Sequence, residues 1–149
     1  MLPKFRGRNI ETGEWVYGHL FYFNDGRHFI SPTGTDVFGG YGGAPAKYRL
    51  ENLVCFEIKP ETVGQFTGLK DKNGVEIFEG DVIGSQNKDR SNWYVSHHKI
   101  VWHDTGFVGK QICSRSFIGL EHWTRGENGY VVIGNIYENP ELLEQADES

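Results

Sequence analysis

Short runs of alternating apolar and polar residues, separated by turns rich in Gly, Asn and Asp, recur along most of the chain. This alternation is typical of half-buried β-strands, and closely spaced turns favour antiparallel pairing. The clearest run is residues 65–83, where alternating arms flank Asp71-Lys72-Asn73-Gly74. Asn-Gly in that position predicts a hairpin, because both residues tolerate the positive φ of a tight turn. A second turn at Glu79-Gly80-Asp81 leads into a new strand.

The N-terminal part predicts a three-stranded antiparallel meander, with strands at 4–10, 15–23 and 27–30 and short turns between them. Residues 48–58 have strand character again. Pro60 ends that run, because proline lacks the N–H that a central ladder needs. We therefore divide the chain into an N-terminal antiparallel β region, residues 1–60, and a C-terminal domain, residues 61–149.

The C-terminal part predicts further strands at 98–102, 116–120 and 129–133, with a shorter strand-like run at 93–95. Asn139-Pro140-Glu141 then supplies a capping residue, a proline at the first helical position and a carboxylate in the first turn. The sequence thus predicts an all-β protein that ends in a short helical turn and an acidic tail.

The net charge of −5 belongs to that tail. Five of the 20 acidic residues lie in the last twelve positions, where there is no Lys or Arg, so 15 acidic residues face 15 basic ones in the body. A neutral body lacks the basic excess typical of nucleic-acid-binding proteins. This disfavours that class of function, although a local basic patch can still bind nucleic acid.

The two cysteines, Cys55 and Cys113, form no CxxC pair and no disulfide framework. We expect both to be thiols packed as small apolar groups. The N-terminus has no apolar signal core, and no run reaches the length of a membrane span. The expectation is a cytoplasmic protein without a cofactor or a membrane partner.

Several residue groups could in principle support enzymatic chemistry, and each has a simpler structural explanation. His97 and His98 are adjacent, so on a strand they point to opposite faces and do not easily share a metal ion. Cys113 lies in a strand-like run, without the helix N-terminus that activates a thiol. The remaining candidates are His103, Asp104 and His122 for a metal or a thiol–imidazole pair, and Glu76, Glu79 and Asp81 for a carboxylate pair.

Asp81 in particular is suited to accept a backbone N–H of the preceding turn. Gly39-Gly40-Tyr41-Gly42-Gly43 lacks the lysine and the following helix of a phosphate-binding loop. We therefore expect no catalytic residues and no metal site.

Two irregular segments are better candidates for a binding surface. Residues 34–43 contain five glycines around Phe38 and Tyr41, which predicts either a long surface loop or a loop whose aromatic residues order on a partner. The segment 88–99 combines cations and aromatic rings, as in proteins that stack single-stranded bases, but a mobile hairpin loop with two core aromatic residues is the favoured explanation. Its members are Lys88, Arg90, Trp93, Tyr94, His97, His98 and Lys99.

Two longer motifs are similar to those of a known family. Residues 62–81, from Thr62-Val63-Gly64-Gln65 to Glu79-Gly80-Asp81, and residues 132–143, from Val132-Ile133-Gly134-Asn135 to Leu142-Leu143, closely resemble the YopX family, and so do Lys4-Phe5-Arg6 and Val101-Trp102. The resemblance implies an SH3-like barrel over residues 61–137, a phage or prophage origin, and a place in the bacterial cytoplasm. It implies no activity and no functional residues.

These observations leave three functional hypotheses. The leading one is a non-enzymatic accessory protein that binds a host or phage protein, motivated by the aromatic residues expected to be exposed in segments 35–45 and 91–98. Its candidate binding residues are Phe38, Tyr41, Lys88, Arg90, Trp93 and Tyr94. The second is a nucleic-acid-binding module that uses Lys88, Arg90, Trp93 and Lys99. The third is a small enzyme, which would need several of His97, His103, Asp104, Cys113 and His122 in one pocket. Exposed edge strands could also pair copies of the chain in a homo-oligomer.

Overall fold

The computed structural model describes residues 3–32, 54–85, 97–112, 114–125 and 129–144. In these ranges the regular structure is β-strand, apart from one 3-10 turn and two four-residue helices, so the predicted all-β class is confirmed. The chain divides into two compact units, Leu2–Val63 and Gly64–Ser149. We call them the N-terminal unit and the C-terminal unit.

The N-terminal unit is an antiparallel sheet of four strands, in the order β4-β3-β2-β1. The predicted meander is confirmed, and its second turn closes at Gly26 with a φ of 93°. A 3-10 turn follows β4. The strands are β1 (Phe5–Arg8), β2 (Trp15–Tyr22), β3 (His28–Pro32) and β4 (Phe56–Ile58), and the 3-10 turn is Pro60–Thr62.

Ile30 and Ile58 are fully buried at the centre of this unit. Gly7 packs against Ile58 so closely that a Cβ on Gly7 would lie 2.1 Å from the Ile58 Cγ2. Cys55 precedes β4 and is exposed. The expectation that it packs as a small apolar group was therefore wrong, because the chain is still at the surface at this end of β4, where Val54 and Phe56 on either side are also exposed. Cys113 lies outside the described residues.

The C-terminal unit holds seven strands and two helical turns in its described part. A hairpin of β5 and β6 accompanies a five-stranded antiparallel sheet in the order β10-β9-β8-β7-β11. The elements are β5 (Gly64–Lys70), β6 (Glu76–Phe78), β7 (Asp81–Gly84), β8 (His98–His103), β9 (Gly106–Gln111), β10 (Phe117–Gly119), α1 (Leu120–Trp123), β11 (Val131–Asn135) and α2 (Glu141–Glu144).

The core of the C-terminal unit joins the hairpin, the sheet and α1. Ile77, Ile83, Ile100 and Leu120 are almost completely buried and pack together. No ladder among the described strands closes the sheet and the hairpin into a barrel, so the SH3-like barrel expected over residues 61–137 is not confirmed. The sheet instead ends in two edges, at β10 and at β11.

Asp71 explains why the run 65–83 is so closely specified. Its carboxylate is buried, and its Oδ1 accepts the N–H groups of Asn73 (2.9 Å) and Val75 (3.0 Å) inside the hairpin turn. Its Oδ2 accepts the N–H of Val132 on β11 at 2.9 Å. One side chain therefore shapes the predicted turn and also ties it to a strand from the other end of the unit.

Asp81 has the structural role predicted from the sequence, because its Oδ2 accepts the N–H of Phe78 at 2.7 Å in the turn before β7. The predicted C-terminal helical turn is present as α2. Asn139 has a different role from the expected one: its Oδ1 accepts the N–H of Asn135 at 3.2 Å. Among the described residues, no helix is long and apolar enough to cross a membrane.

Candidate functional site

A groove of about 1020 Å³ opens on the C-terminal unit where its apolar core meets solvent. Its walls come from three elements: strand β5, the β8–β9 hairpin and helix α1. It is lined by Gln65, Phe66, Thr67, Leu69, Trp102, Thr105, Gly106, Phe107, Gly119, Leu120, Glu121, His122 and Arg125. These residues belong to segments that are far apart in the sequence, so the groove exists only in the folded unit.

Trp102 is the most exposed large apolar side chain in this groove. It shares a face of β8 with the buried Ile100, two positions before it, but it lies near the end of the strand, where 54% of its surface is accessible. A hairpin turn at Asp104-Thr105 places it directly opposite Phe107. The two rings meet edge to face, with centroids 4.9 Å apart. The indole is thus held in place by its partner while much of it faces the groove.

Helix α1 forms a second wall and is held in place by a residue buried in the core. Leu120 is buried in the core, and the Thr124 hydroxyl closes the helix by donating to the Leu120 carbonyl at 2.8 Å. The N–H of Tyr130 donates to the Trp123 carbonyl at 2.7 Å, which joins the end of the helix to the following segment. The exposed Glu121 and Arg125 form an ion pair of 2.6 Å on the rim. This rim is close to neutral.

Strand β5 forms the third wall. Phe66 packs on Phe78 with ring centroids 5.4 Å apart. Thr67 donates its hydroxyl hydrogen to the Ile77 carbonyl at 2.8 Å, so its polar atom is engaged inside the hairpin. The groove therefore combines an apolar floor with a few polar groups, which is the usual make-up of a ligand or peptide site.

Six of the residues that the sequence indicated for binding lie outside the described residues: Phe38, Tyr41, Lys88, Arg90, Trp93 and Tyr94. Their roles stay predictions. Lys99 is described, and it lies on β8 opposite Lys110 of β9.

The residues named for the enzyme hypothesis lie in different parts of the C-terminal unit. His97 is buried, and its desolvation lowers the pKa of its imidazole below the usual range, with the adjacent His98 adding to the effect. His103 lies 3.6 Å from Asp104 at the exposed β8–β9 turn. His122 lines the groove. The described residues contain no group of three or more His, Cys, Asp or Glu side chains that could hold a metal ion.

Sequence reasoning missed the groove. One signal was present: a two-residue turn at Asp104-Thr105 pairs Trp102 with Phe107. The walls from Phe66 and Leu120 had no such signal, because their approach depends on contacts between distant segments.

The comparisons with known proteins agree with the resemblance stated above. The family model described as "YopX protein" matches residues 4–144. Among solved structures, the chain is similar to the crystal structure of protein EF1440 from Enterococcus faecalis, with 29% identity and a TM-score of 0.60. The alignment covers 96% of this chain and 99% of that one. No curated protein matches the chain.

Proposed function

The chain belongs to the YopX family, and from that premise we propose that it is a non-enzymatic module that binds a protein partner through the groove of the C-terminal unit. The observation that carries the proposal is Trp102, which stays 54% exposed at the open end of an otherwise buried core. Tryptophan is enriched among residues that dominate binding energy, especially when a partner covers it in a pocket.

The free energy gained by covering the exposed part of Trp102 is large enough for a binding site. A tryptophan buries 150–250 Å² when fully covered, so covering about half of it removes roughly 100 Å² of surface from water. At about 25 cal/mol per Å² this contributes about 2–3 kcal/mol. Leu69 and Phe107 beside it enlarge the apolar contact, and the Glu121–Arg125 rim supplies polar groups around it.

The resemblance to the family supports the rest of the proposal. That resemblance implies a phage or prophage origin and a place in the bacterial cytoplasm, and we propose a host or phage protein as the partner. The genes next to the coding sequence provide a direct check: a phage or prophage cluster is expected, and an isolated bacterial housekeeping operon would contradict this origin.

The binding role is tested with Trp102→Ala. Tyr22→Ala is the matched control, because Tyr22 is an aromatic residue of the N-terminal unit that is 74% exposed. Proteins captured from infected or lysogenic cells by the wild type are identified, and their affinities are measured by calorimetry. Trp102→Ala is expected to weaken binding to the partner by about 2 kcal/mol, which is a roughly thirtyfold loss of affinity. Tyr22→Ala is expected to have little effect on affinity. Equal affinities for the two variants would refute the groove as the binding site.

A further inference from the structure

The two edges of the C-terminal sheet differ in their free hydrogen-bonding groups. On β11, the outward N–H of Val132 donates to Asp71 and that of Asn135 donates to Asn139. Side-chain oxygens therefore accept these two N–H groups of the β11 edge. An edge strand without such cover can pair with another extended chain.

The orientation of β10 follows from one hydrogen bond. The N–H of Gln111 on the β9 side donates to the Ser116 carbonyl at 2.9 Å, so Ser116 faces β9. Because antiparallel strands alternate the direction of their polar groups, Ile118 also faces β9, while Phe117 turns its N–H and C=O outward. Gly119 turns its N–H outward, and as the N-cap of α1 it uses its carbonyl in the first helical hydrogen bond. Within the described part of the chain, no other strand pairs with this outer edge.

This open edge leads into the groove. Gly119, the last residue of β10, is one of the groove's lining residues, and Leu120 follows it on the same wall. A strand added beside β10 would thus continue toward Trp102. Backbone N–H and C=O groups in line with side-chain pockets are the requirements for recognising an extended peptide.

The charges beside β10 indicate the composition of that peptide. Lys110 lies opposite Phe117, and Lys99 lies opposite Lys110 on the next strand. Arg115 precedes the strand by two residues and is exposed. None of the three forms an ion pair with a described residue, and like charges directly opposite one another are unfavourable. A strand added beside β10 would lie two strands from Lys110 and close to Arg115, so carboxylates on it would offset this local positive charge.

We propose that the groove's occupant is an extended, acidic segment of the partner protein, which adds as a strand to the outer edge of β10 and places an apolar side chain against Trp102. This inference rests on the proposed function and specifies its ligand.

Gly119 offers a matched pair of variants. Its φ of −76° suits proline, and an added Cβ would meet no atom within 4 Å. Gly119→Pro removes the outward N–H and leaves the hydrogen bonds between β10 and β9 unchanged. Gly119→Ala adds a side chain and keeps the N–H. Any difference in binding between them reports on strand pairing.

The probe is a displayed library of random linear peptides, selected on the wild-type protein. Selected sequences are expected to be acidic and to bind Gly119→Ala as tightly as the wild type. They are expected to bind Gly119→Pro about tenfold more weakly, because a backbone hydrogen bond is lost and the ring obstructs the edge. Added salt should weaken binding to the wild type.

A second measurement does not depend on the folding of a variant. In hydrogen exchange on the wild type, a selected peptide is expected to slow exchange of the Phe117 and Gly119 amides. Unchanged exchange at both amides would overturn strand addition.

The other outcomes are equally distinct. Peptides that lose affinity for Trp102→Ala but not for Gly119→Pro would overturn strand addition and leave the groove function intact. A failure to select any peptide would count against both. Self-association that Gly119→Pro abolishes would assign the edge to a second copy. Binding of a single-stranded oligonucleotide that is indifferent to Gly119→Pro would assign the cations to nucleic acid.

Discussion

Both edges of the C-terminal sheet carry backbone N–H and C=O groups that face away from the neighbouring strand, and the two edges treat these groups differently. At β11, the carboxylate of Asp71 and the amide of Asn139 take up outward backbone N–H groups. At β10, the N–H and C=O of Phe117 and the N–H of Gly119 have no strand beside them among the described residues. The difference shows that this sequence can protect an edge with side chains, which makes the bare edge beside the groove a candidate for recognition.

The largest expected effect comes from removing the protection of β11. Asp71→Ala deprives three backbone N–H groups, at Asn73, Val75 and Val132, of their acceptor. At about 1 kcal/mol for each group, the free energy of unfolding should fall by about 3 kcal/mol. Chemical denaturation followed by fluorescence measures this change.

Asp71→Asn sharpens the same experiment. An asparagine keeps one carbonyl oxygen, so it can serve the turn or β11 but not both. A loss between that of Asp71→Ala and zero is expected, about 1–2 kcal/mol. If the alanine variant is as stable as the wild type, the proposed protection of this edge is incorrect.

A smaller effect is expected at the other end of β11. Asn139→Ala removes a single acceptor, from the N–H of Asn135, in a half-buried turn. We expect a loss of about 1 kcal/mol in the free energy of unfolding. Asn139→Asp keeps the oxygen and is the control. Equal destabilisation by both variants would mean that the oxygen is not the stabilising group.

The side of the sheet that leads to β10 should be sensitive to pH. The His97 carbonyl accepts the N–H of Ile112 at 3.1 Å, next to the β9–β10 connection. Burial lowers the pKa of His97, so the unfolded chain binds a proton at a higher pH than the native protein does. The free energy of unfolding should therefore decrease as pH falls through about 6.5, and level off below the lowered native pKa.

Denaturation over this pH range, with His97→Gln as the comparison, measures the effect. The variant should have a flatter profile as pH falls through about 6.5. The same slope in both proteins would assign the dependence to other groups.

The smallest effect on stability is expected at the open edge. Gly119→Pro removes a donor that no described residue uses, and proline also restricts the unfolded chain. The free energy of unfolding should stay within about 0.5 kcal/mol of the wild-type value or rise slightly. A loss of more than about 1 kcal/mol would show that the Gly119 N–H has a partner within the protein.

Local chemistry decided how much of this could be predicted from the sequence. Gly74 and Gly26 adopt the positive φ that their turns need, 82° and 93°, so the hairpins they join were predicted correctly. Asp81 bonds within its own turn, three positions away, and its role was predicted as well.

The groove could not be predicted in the same way. Phe66, Phe107 and Leu120 meet only through packing between distant segments, and helix α1 begins at Leu120 after a glycine that gives no side-chain capping bond. Aromatic residues in stretches without strand or helix periodicity drew attention to Phe38 and Trp93. The exposed Trp102 lies instead in the strand predicted at 98–102, for which the sequence indicated no binding role.

The reach of the Asp71 carboxylate also has a kinetic consequence. The hairpin turn it organises can close on its own within about 1–10 μs, but the N–H of Val132 lies 61 positions away and arrives only when β11 docks. Until then one oxygen of the group has no partner from that strand. Detaching β11 later strips the same oxygen of its bond, so the hairpin turn and the edge strand should open as a single cooperative unit, and their amides should exchange with solvent together.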